Sequence, residues 1–412
     1  MSYLHRLDSA AYDTGWDLVR GWIDHEPLPF FAELRAKRPI LHTSKATLVA
    51  LYDDVLEVLN QPSLFSVALY KPKQGDYLMA DDDTPKHMRD KSIMYAVLNR
   101  DDLPRVRALV QKLAAEALAS GGQGGELDMV RAVGRGVPIG LVQQYFGFEG
   151  IAAEKMAEWS YWNQYDAFHN QPFHNPPDPA AITANRIRTS QEMARTLVEL
   201  VSKRTAQMFF GQKFDDVTSR LLRTQFPAEV GFPNPRMVLN IGGLLIGAVE
   251  TTSQAVMHAA AELFGRPDHL AAARKAAAIG ADAFDGYFWE ALRFRPISPY
   301  MFRVAEADVV LGRGSAREAR IAKGTHVLPL VLSSNFDPSR FADPDEFNPA
   351  RPRHHTFHLG HGLHECLGRY VAEVMMPEML RQIVLAENLS PAGKIDYRGG
   401  PFPESWMFRR AA

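Results

Sequence analysis

One stretch limits the architectures open to this chain more than any other. From Asn234 to Phe264 the sequence NPRMVLNIGGLLIGAVETTSQAVMHAAAELF is apolar with a helical period. Asn234 can cap a helix start, Pro235 suits the first helical position, and Gly265 and Pro267 stop the pattern. Such a helix has roughly 30 residues and spans about 45 Å at ~1.5 Å per residue. A helix that long and that apolar must run through the middle of the protein. Asn240 and Glu250 interrupt it, so it is a buried helix and not a membrane span. Glu250 then needs a reason to be there, because burying an unpaired carboxylate is expensive.

Helical patterning dominates elsewhere too, in DLPRVRALVQKLAAEALA and in DHLAAARKAAAIGADAFDGYFWEALR. Strand signals are fewer: ATLVALY, ADVVLG and THVLPLVL. The expected class is mainly α (α+β), with small sheets at the edge. Ala119 to Glu126 reads as a flexible turn between helical stretches, and Phe168 to Ala181 as a proline-rich loop. Neither is long enough to separate independent domains, so a single domain over 1–412 is expected. A net charge of −2 gives no electrostatic case for nucleic acid or an anionic membrane. One cysteine cannot form an internal disulfide, and the N-terminal stretch has no apolar run for a signal or membrane anchor. The expected location is the cytoplasm.

The lone cysteine, Cys366, lies in HHTFHLGHGLHECLG, with His354, His355, His358, His361 and His364 around Gly360, Gly362 and Gly368. Three chemistries suit such a loop. A buried structural cysteine is the bland one, since free cysteine is commonly buried. Zinc could use the histidines and Cys366, but structural zinc usually wants paired cysteines. The third is a thiolate ligand to haem iron, which favours O–O cleavage on the opposite face. That sulfur needs backbone N–H groups close by, and porphyrin must lie flat against the chain. Glycines admit both. A helix starting just after Cys366 would add its positive end.

LGHGLHECLG, Leu359 to Gly368, resembles the cysteine-ligand loop of the soluble, bacterial-type cytochrome P450 haem-thiolate monooxygenases, Phe-x-x-Gly-x-[His/Arg]-x-Cys-x-Gly in its looser forms. Gly360, Gly362, His364, Cys366 and Gly368 match, and Leu359 stands where phenylalanine is usual, with Phe357 two residues early. The resemblance implies the cytochrome P450 fold, with a long central helix over haem and small peripheral sheets. It implies haem b with Cys366 as axial metal ligand, and O2 as co-substrate. In GAVETT, Gly247 and Ala248 would leave room for oxygen, Thr251 would hold its reduced form, and Glu250 would relay protons; Thr252 is secondary. His87 and Lys91 in DTPKHMRDK, Arg303 in PYMFRVAEAD, and His364 would meet the haem propionates. Lys91 replaces an arginine and cannot make its bidentate fork. Glu290 and Arg293 in EALR, with Arg351 in FNPAR, correspond to a structural Glu-x-x-Arg cluster.

The implied reaction is hydroxylation, or oxidative dealkylation, of a mostly apolar small molecule with two external electrons. Substrate-contact candidates are Val67, Leu244, Ala248, Ile297 and Met301. Ferredoxin or flavodoxin with its reductase is the expected donor to a monomer. After the cysteine, CLGRYVAEVMMPEML departs from the family. Glu373 takes an arginine position and Met375 a glutamate position, Arg369 is a possible compensation, and Pro377 should kink the helix. Leu359 and Glu373 keep open an alternative, a haem-thiolate peroxygenase, isomerase or lyase needing no redox partner. A non-catalytic haem sensor is a third class, which the acid–threonine pair disfavours. His354, His355, His358 and His361 are expected at the surface.

Overall fold

The long apolar run is not one helix. In the computed structural model, which describes residues 2–120 and 125–411, it forms Asn234–Ala248 and Glu250–Phe264, with Val249 at φ −88° and ψ −71° between them. The cause is local. The Ile246 carbonyl accepts from Ser160 Oγ (3.1 Å) and Gln164 Nε2 (2.7 Å), while the Glu250 amide donates to Ser160 Oγ (3.3 Å). A side chain inserted into the i→i−4 ladder interrupts a helix. Asn234 is the first helical residue and Pro233 holds the cap position, with no side-chain cap bond. Likewise 268–293 is two helices, Pro267–Ile279 and Ala281–Phe294, parted by Gly280 at φ +155°.

The strands are β1 (Ile40–His42), β2 (Thr47–Val49), β3 (Phe65–Ser66), β4 (Glu126–Asp128), β5 (Arg303–Ala305), β6 (Val309–Leu311), β7 (Ala319–Ile321), β8 (His326–Pro329), β9 (Leu389–Pro391) and β10 (Met407–Arg410). Most have three residues or fewer, too short to carry a readable alternation. β4 begins at Glu126, so the Ala119–Glu126 stretch leads from a helix into a strand; its residues 121–124 lie outside the described residues.

The chain folds as two compact units. One holds the segments up to Gly75, Met79–Thr84 and Trp289–Cys366. Its sheet runs β1-β2-β8-β5-β3, with only β2 and β8 parallel, Leu48 opposite Leu328. Arg303 pairs with Val327, so its strand is internal and its side chain starts from a buried sheet. Ile40, Val49, Tyr52, Val55, Phe65, Val327 and Phe357 belong to the core beneath. The other unit, Asp76–Leu78, Pro85–Phe288 and Leu367 onward, is mainly helical. In Leu103–Ala119, Val106, Val110, Ala114 and Leu118 recur every four residues and are buried. Asn234–Ala248 packs on Ala153–His169 and Pro179–Phe209, and Glu250–Phe264 on Arg369–Leu385. Asn240 is buried and donates to Asp90 Oδ2 (3.1 Å), which explains an amide in so apolar a helix. Helix Arg369–Leu385 continues past Pro377 without a break.

Candidate functional site

In the first unit the cysteine loop is closed by its backbone. The Cys366 amide donates to Leu359 O (2.7 Å), Gly360 N to Phe357 O (3.0 Å), and Glu365 N to Gly362 O (3.0 Å). Gly360 has φ +75°, and a Cβ there would lie 2.5 Å from the His364 carbonyl oxygen, so glycine is required on both counts. Gly368, at φ −84°, is in an ordinary conformation and precedes helix Arg369–Leu385. Cys366 is half-buried and is the chain's one cysteine, and Leu359, whose carbonyl its amide bonds, is half-buried too. Phe357 is fully buried, stacked on Tyr52 with ring centroids 4.9 Å apart.

The neighbouring histidines are not loose surface groups. His361 pairs with Asn60 Oδ1 (2.9 Å) and meets the Phe357 edge, and His355 meets Phe341. The His354 side chain lies outside the described residues. His358 stacks on Trp289, and both its ring nitrogens are buried with no hydrogen bond among the described residues. Burial, with a smaller push from Arg293, lowers its pKa to about 3. Its ordinary value is 6.5, so as pH falls below that value the unfolded chain binds a proton that the folded chain refuses. Stability should drop through this window, by about 2 kcal/mol between pH 7 and pH 5 from this group. His358→Phe should remove that part of the slope in urea-unfolding midpoints. An unchanged slope would mean that the imidazole takes up its proton freely in the folded protein.

The same unit holds two of the cations. Arg303 is 4% exposed, and its one hydrogen bond among the described residues goes to Phe302 O (2.8 Å). No carboxylate among the described residues pairs with it; burial lowers its pKa, and Tyr70 and Asp82 offset this only in part. His364 Nε2 donates to Asp82 Oδ1 (3.2 Å), which also accepts from the Val67 amide (3.0 Å). Arg293 donates twice to Glu290, Nε to Oε2 (2.9 Å) and Nη2 to Oε1 (2.8 Å), and caps the Asn335 and Glu346 carbonyls. Arg351 Nε donates to Glu290 Oε1 (3.2 Å), as does the Asn348 amide (2.9 Å). The three side chains thus meet around one buried carboxylate. Val67 is buried, whereas Ile297 and Met301 are half-buried, Met301 against the sheet core.

In the helical unit, His87 is buried and its Nδ1–H donates to Leu78 O (2.7 Å), which leaves Nε2 as the atom aimed elsewhere. Lys91, also buried, lies over the Tyr95 ring at 5.9 Å. At the break in the central helix, Gly247 is exposed, and Ala248 and Thr251 are half-buried, although Leu244, Leu245 and Val249 around them are buried. A Cβ at Gly247 would touch nothing within 4 Å. The Thr251 hydroxyl donates back to Gly247 O. Glu250 turns the other way. It is 1% exposed and takes a two-pronged guanidinium, from Arg135 Nε (2.7 Å) and Nη2 (3.1 Å); Arg135 Nη1 also reaches Glu404 (3.1 Å). Burial raises the Glu250 carboxyl above the usual range, and Arg135 pulls it back only in part. Arg135, Glu404, Ser160 and Gln164 carry no motif, and only the folded chain brings them to the break.

A model of the family described as Cytochrome P450 matches residues 40–393. The chain belongs to the cytochrome P450 family. Cytochrome P450 CYP199A2 of Rhodopseudomonas palustris is 26% identical over 388 residues, covering 89% of this chain and 86% of the relative. Cytochrome P450 monooxygenase PikC of Streptomyces venezuelae is 26% identical over 395 residues, covering 90% and 88%. Among solved structures, CYP109Q5 from Chondromyces apiculatus superposes with TM-score 0.77 at 20% identity, covering 94% and 96%. This P450 is therefore a haem-thiolate monooxygenase that hydroxylates small molecules, with cysteine-ligated haem, O2 as co-substrate and an external electron donor.

The residues present fit that haem. A buried guanidinium with no carboxylate partner calls for an anion, which a propionate supplies. The small, open residues at the break leave room in an otherwise packed helix. Downstream of the cysteine, Glu373 accepts from Arg369 Nε (2.9 Å), so the two charges largely cancel, and Met375 is buried. Among the described residues no helix is long and apolar enough to cross a membrane.

Proposed function

We propose that this P450 uses Cys366 as the thiolate ligand of haem b, with Arg303, His364, His87 and Lys91 toward the propionates. Cys366 is the one thiol in the chain, so no other residue can supply the sulfur. Leu359, Gly360 and Gly368 shape the loop that carries it. Ala248 and Gly247 leave space at the helix break, and Glu290, Arg293 and Arg351 form the structural cluster. When bound there, haem supplies the chemistry RH + O2 + 2e⁻ + 2H⁺ → ROH + H2O.

The protein's part is to manage protons. The Thr251 hydroxyl donates to Gly247 O, so its oxygen can accept another proton or hydrogen bond. Glu250 is held one residue away in a buried ion pair, with its carboxyl shifted toward the protonated form. Arg135 keeps its own proton tightly: burial opposes the charge, but Glu250 and Glu404 outweigh it. A carboxyl can exchange its proton where a guanidinium keeps its own, so Glu250 is the relay group and Arg135 its anchor. The guest is a mostly apolar small molecule, with Val67, Leu244, Ala248, Ile297 and Met301 as contact candidates. We assign electron supply to a ferredoxin or flavodoxin with its reductase. The working form is a cytoplasmic monomer, a single haem-thiolate domain over 1–412, in a compartment where a lone thiol stays reduced.

The observation that carries this reading is the acid–threonine pair at an open break in a buried helix. Thr251→Ala should send electrons to peroxide. With a surrogate ferredoxin and reductase, hydrogen peroxide released per NADPH oxidised should rise toward one, with NADPH oxidation little slowed. A ratio equal to wild type would remove Thr251 from proton delivery.

A further inference from the structure

We propose that Ser160 and Gln164 are positioning residues that keep the central helix open by occupying one of its missing rungs. The proposal rests on the reading of Glu250 and Thr251 as the proton-delivering pair. In an unbroken helix the Glu250 amide would donate to the Ile246 carbonyl. Here both groups are turned over to another helix. Ser160 Oγ accepts from Glu250 N (3.3 Å) and donates to Ile246 O (3.1 Å), and Gln164 Nε2 donates to the same carbonyl (2.7 Å). One hydroxyl stands between the two halves of a backbone bond, and an amide reinforces it.

Three further features support this assignment. Ser160 and Gln164 lie four residues apart on helix Ala153–His169, hence on one face, and both are buried. Leaving either group unmatched against these two buried side chains would be costly, so the clamp and the open rung stabilise one another. The Thr251 hydroxyl cannot open this rung, because it bonds the next carbonyl along, Gly247 O. And Glu250 is gripped at both ends, by Ser160 at its amide and by Arg135 at its carboxylate. Removing the clamp would leave Ile246 O and Glu250 N–H without these partners, one helical turn apart. Their cheapest solution is to bond together, which closes the break and takes Glu250 and Thr251 out of register.

The test uses the haem-loaded protein with Ser160→Ala/Gln164→Leu, Gln164→Leu alone, and Ser160→Thr, which keeps the hydroxyl. Two readouts are taken: hydrogen exchange resolved to the Glu250 amide, and peroxide released per NADPH with the surrogate ferredoxin. In the double variant the Glu250 amide should exchange about tenfold more slowly, as a helical hydrogen bond replaces a long one. The peroxide ratio should rise toward the Thr251→Ala value, with haem content and the carbon monoxide spectrum unchanged. Ser160→Thr should match wild type on both. Gln164→Leu alone should shift both readouts part of the way, and it decides the matter if the double variant does not fold. Wild-type exchange and a wild-type peroxide ratio would overturn the proposal. Slower exchange with a wild-type ratio would overturn its functional half. A Thr251→Ala control that leaves the ratio unchanged would instead defeat the proton-delivery reading, and the exchange result alone would then judge the clamp.

Discussion

Cys366→Ser should abolish the strongly red-shifted carbon monoxide band of the reduced, haem-loaded protein, and hydroxylation with it. A serine hydroxyl does not ionise at neutral pH, so it can neither ligate iron as an anion nor push electron density onto it. The loop itself should survive the change. Its closing bond uses the backbone amide of residue 366, and its strained turn depends on Gly360. The nearby imidazoles are poor substitutes: His364 is engaged by Asp82, His361 by Asn60, and the His358 ring nitrogens are buried. The expected product is a folded protein with weakly held haem and an unshifted or absent band. Retention of the red-shifted band would remove Cys366 from the iron.

Arg293→Ala should cost about 3–5 kcal/mol of stability, because it strands a buried charge. Glu290 is 3% exposed and would lose its two-pronged partner, keeping only Arg351 and the Asn348 amide. The Asn335 and Glu346 carbonyls would each lose a donor as well. Arg293→Lys should recover only part of the loss, since an ammonium cannot make both bonds to Glu290 and reach both carbonyls. Urea-unfolding midpoints of the holoprotein measure the effect. The double change Glu290→Leu/Arg293→Met should cost less than the two single changes added together, because it removes both charges at once. Additive losses would mean that the two side chains act independently.

Much of this molecule is legible in its amino-acid order. The helical class follows from apolar spacing in segments such as Leu103–Ala119, where the period and the burial agree. The family follows from short motifs whose chemistry is local, above all the glycine-framed cysteine. That loop is legible because Gly360 answers to its own φ and to a carbonyl four residues away. Glu290 and Arg293 share one turn of helix, so their meeting could be anticipated from spacing alone.

Other features depend on partners distant in the chain. The expected continuous helix is broken at Val249 because Ser160 and Gln164, over eighty residues upstream, take its hydrogen bonds. Periodicity reports which residues are apolar, and it is silent on who accepts a given amide. The same holds for Glu250, whose partner Arg135 lies 115 residues away and whose second neighbour Glu404 lies further still. It also holds for His358, expected in solvent and found against Trp289. By itself the sequence determined the class, the family and the one available thiolate, since each rests on residues close together along the chain. Only the tertiary structure decided how the buried acid is held and where the central helix opens. Those depend on unmatched hydrogen-bonding groups finding partners across space, because leaving one unmatched in a dry interior is costly.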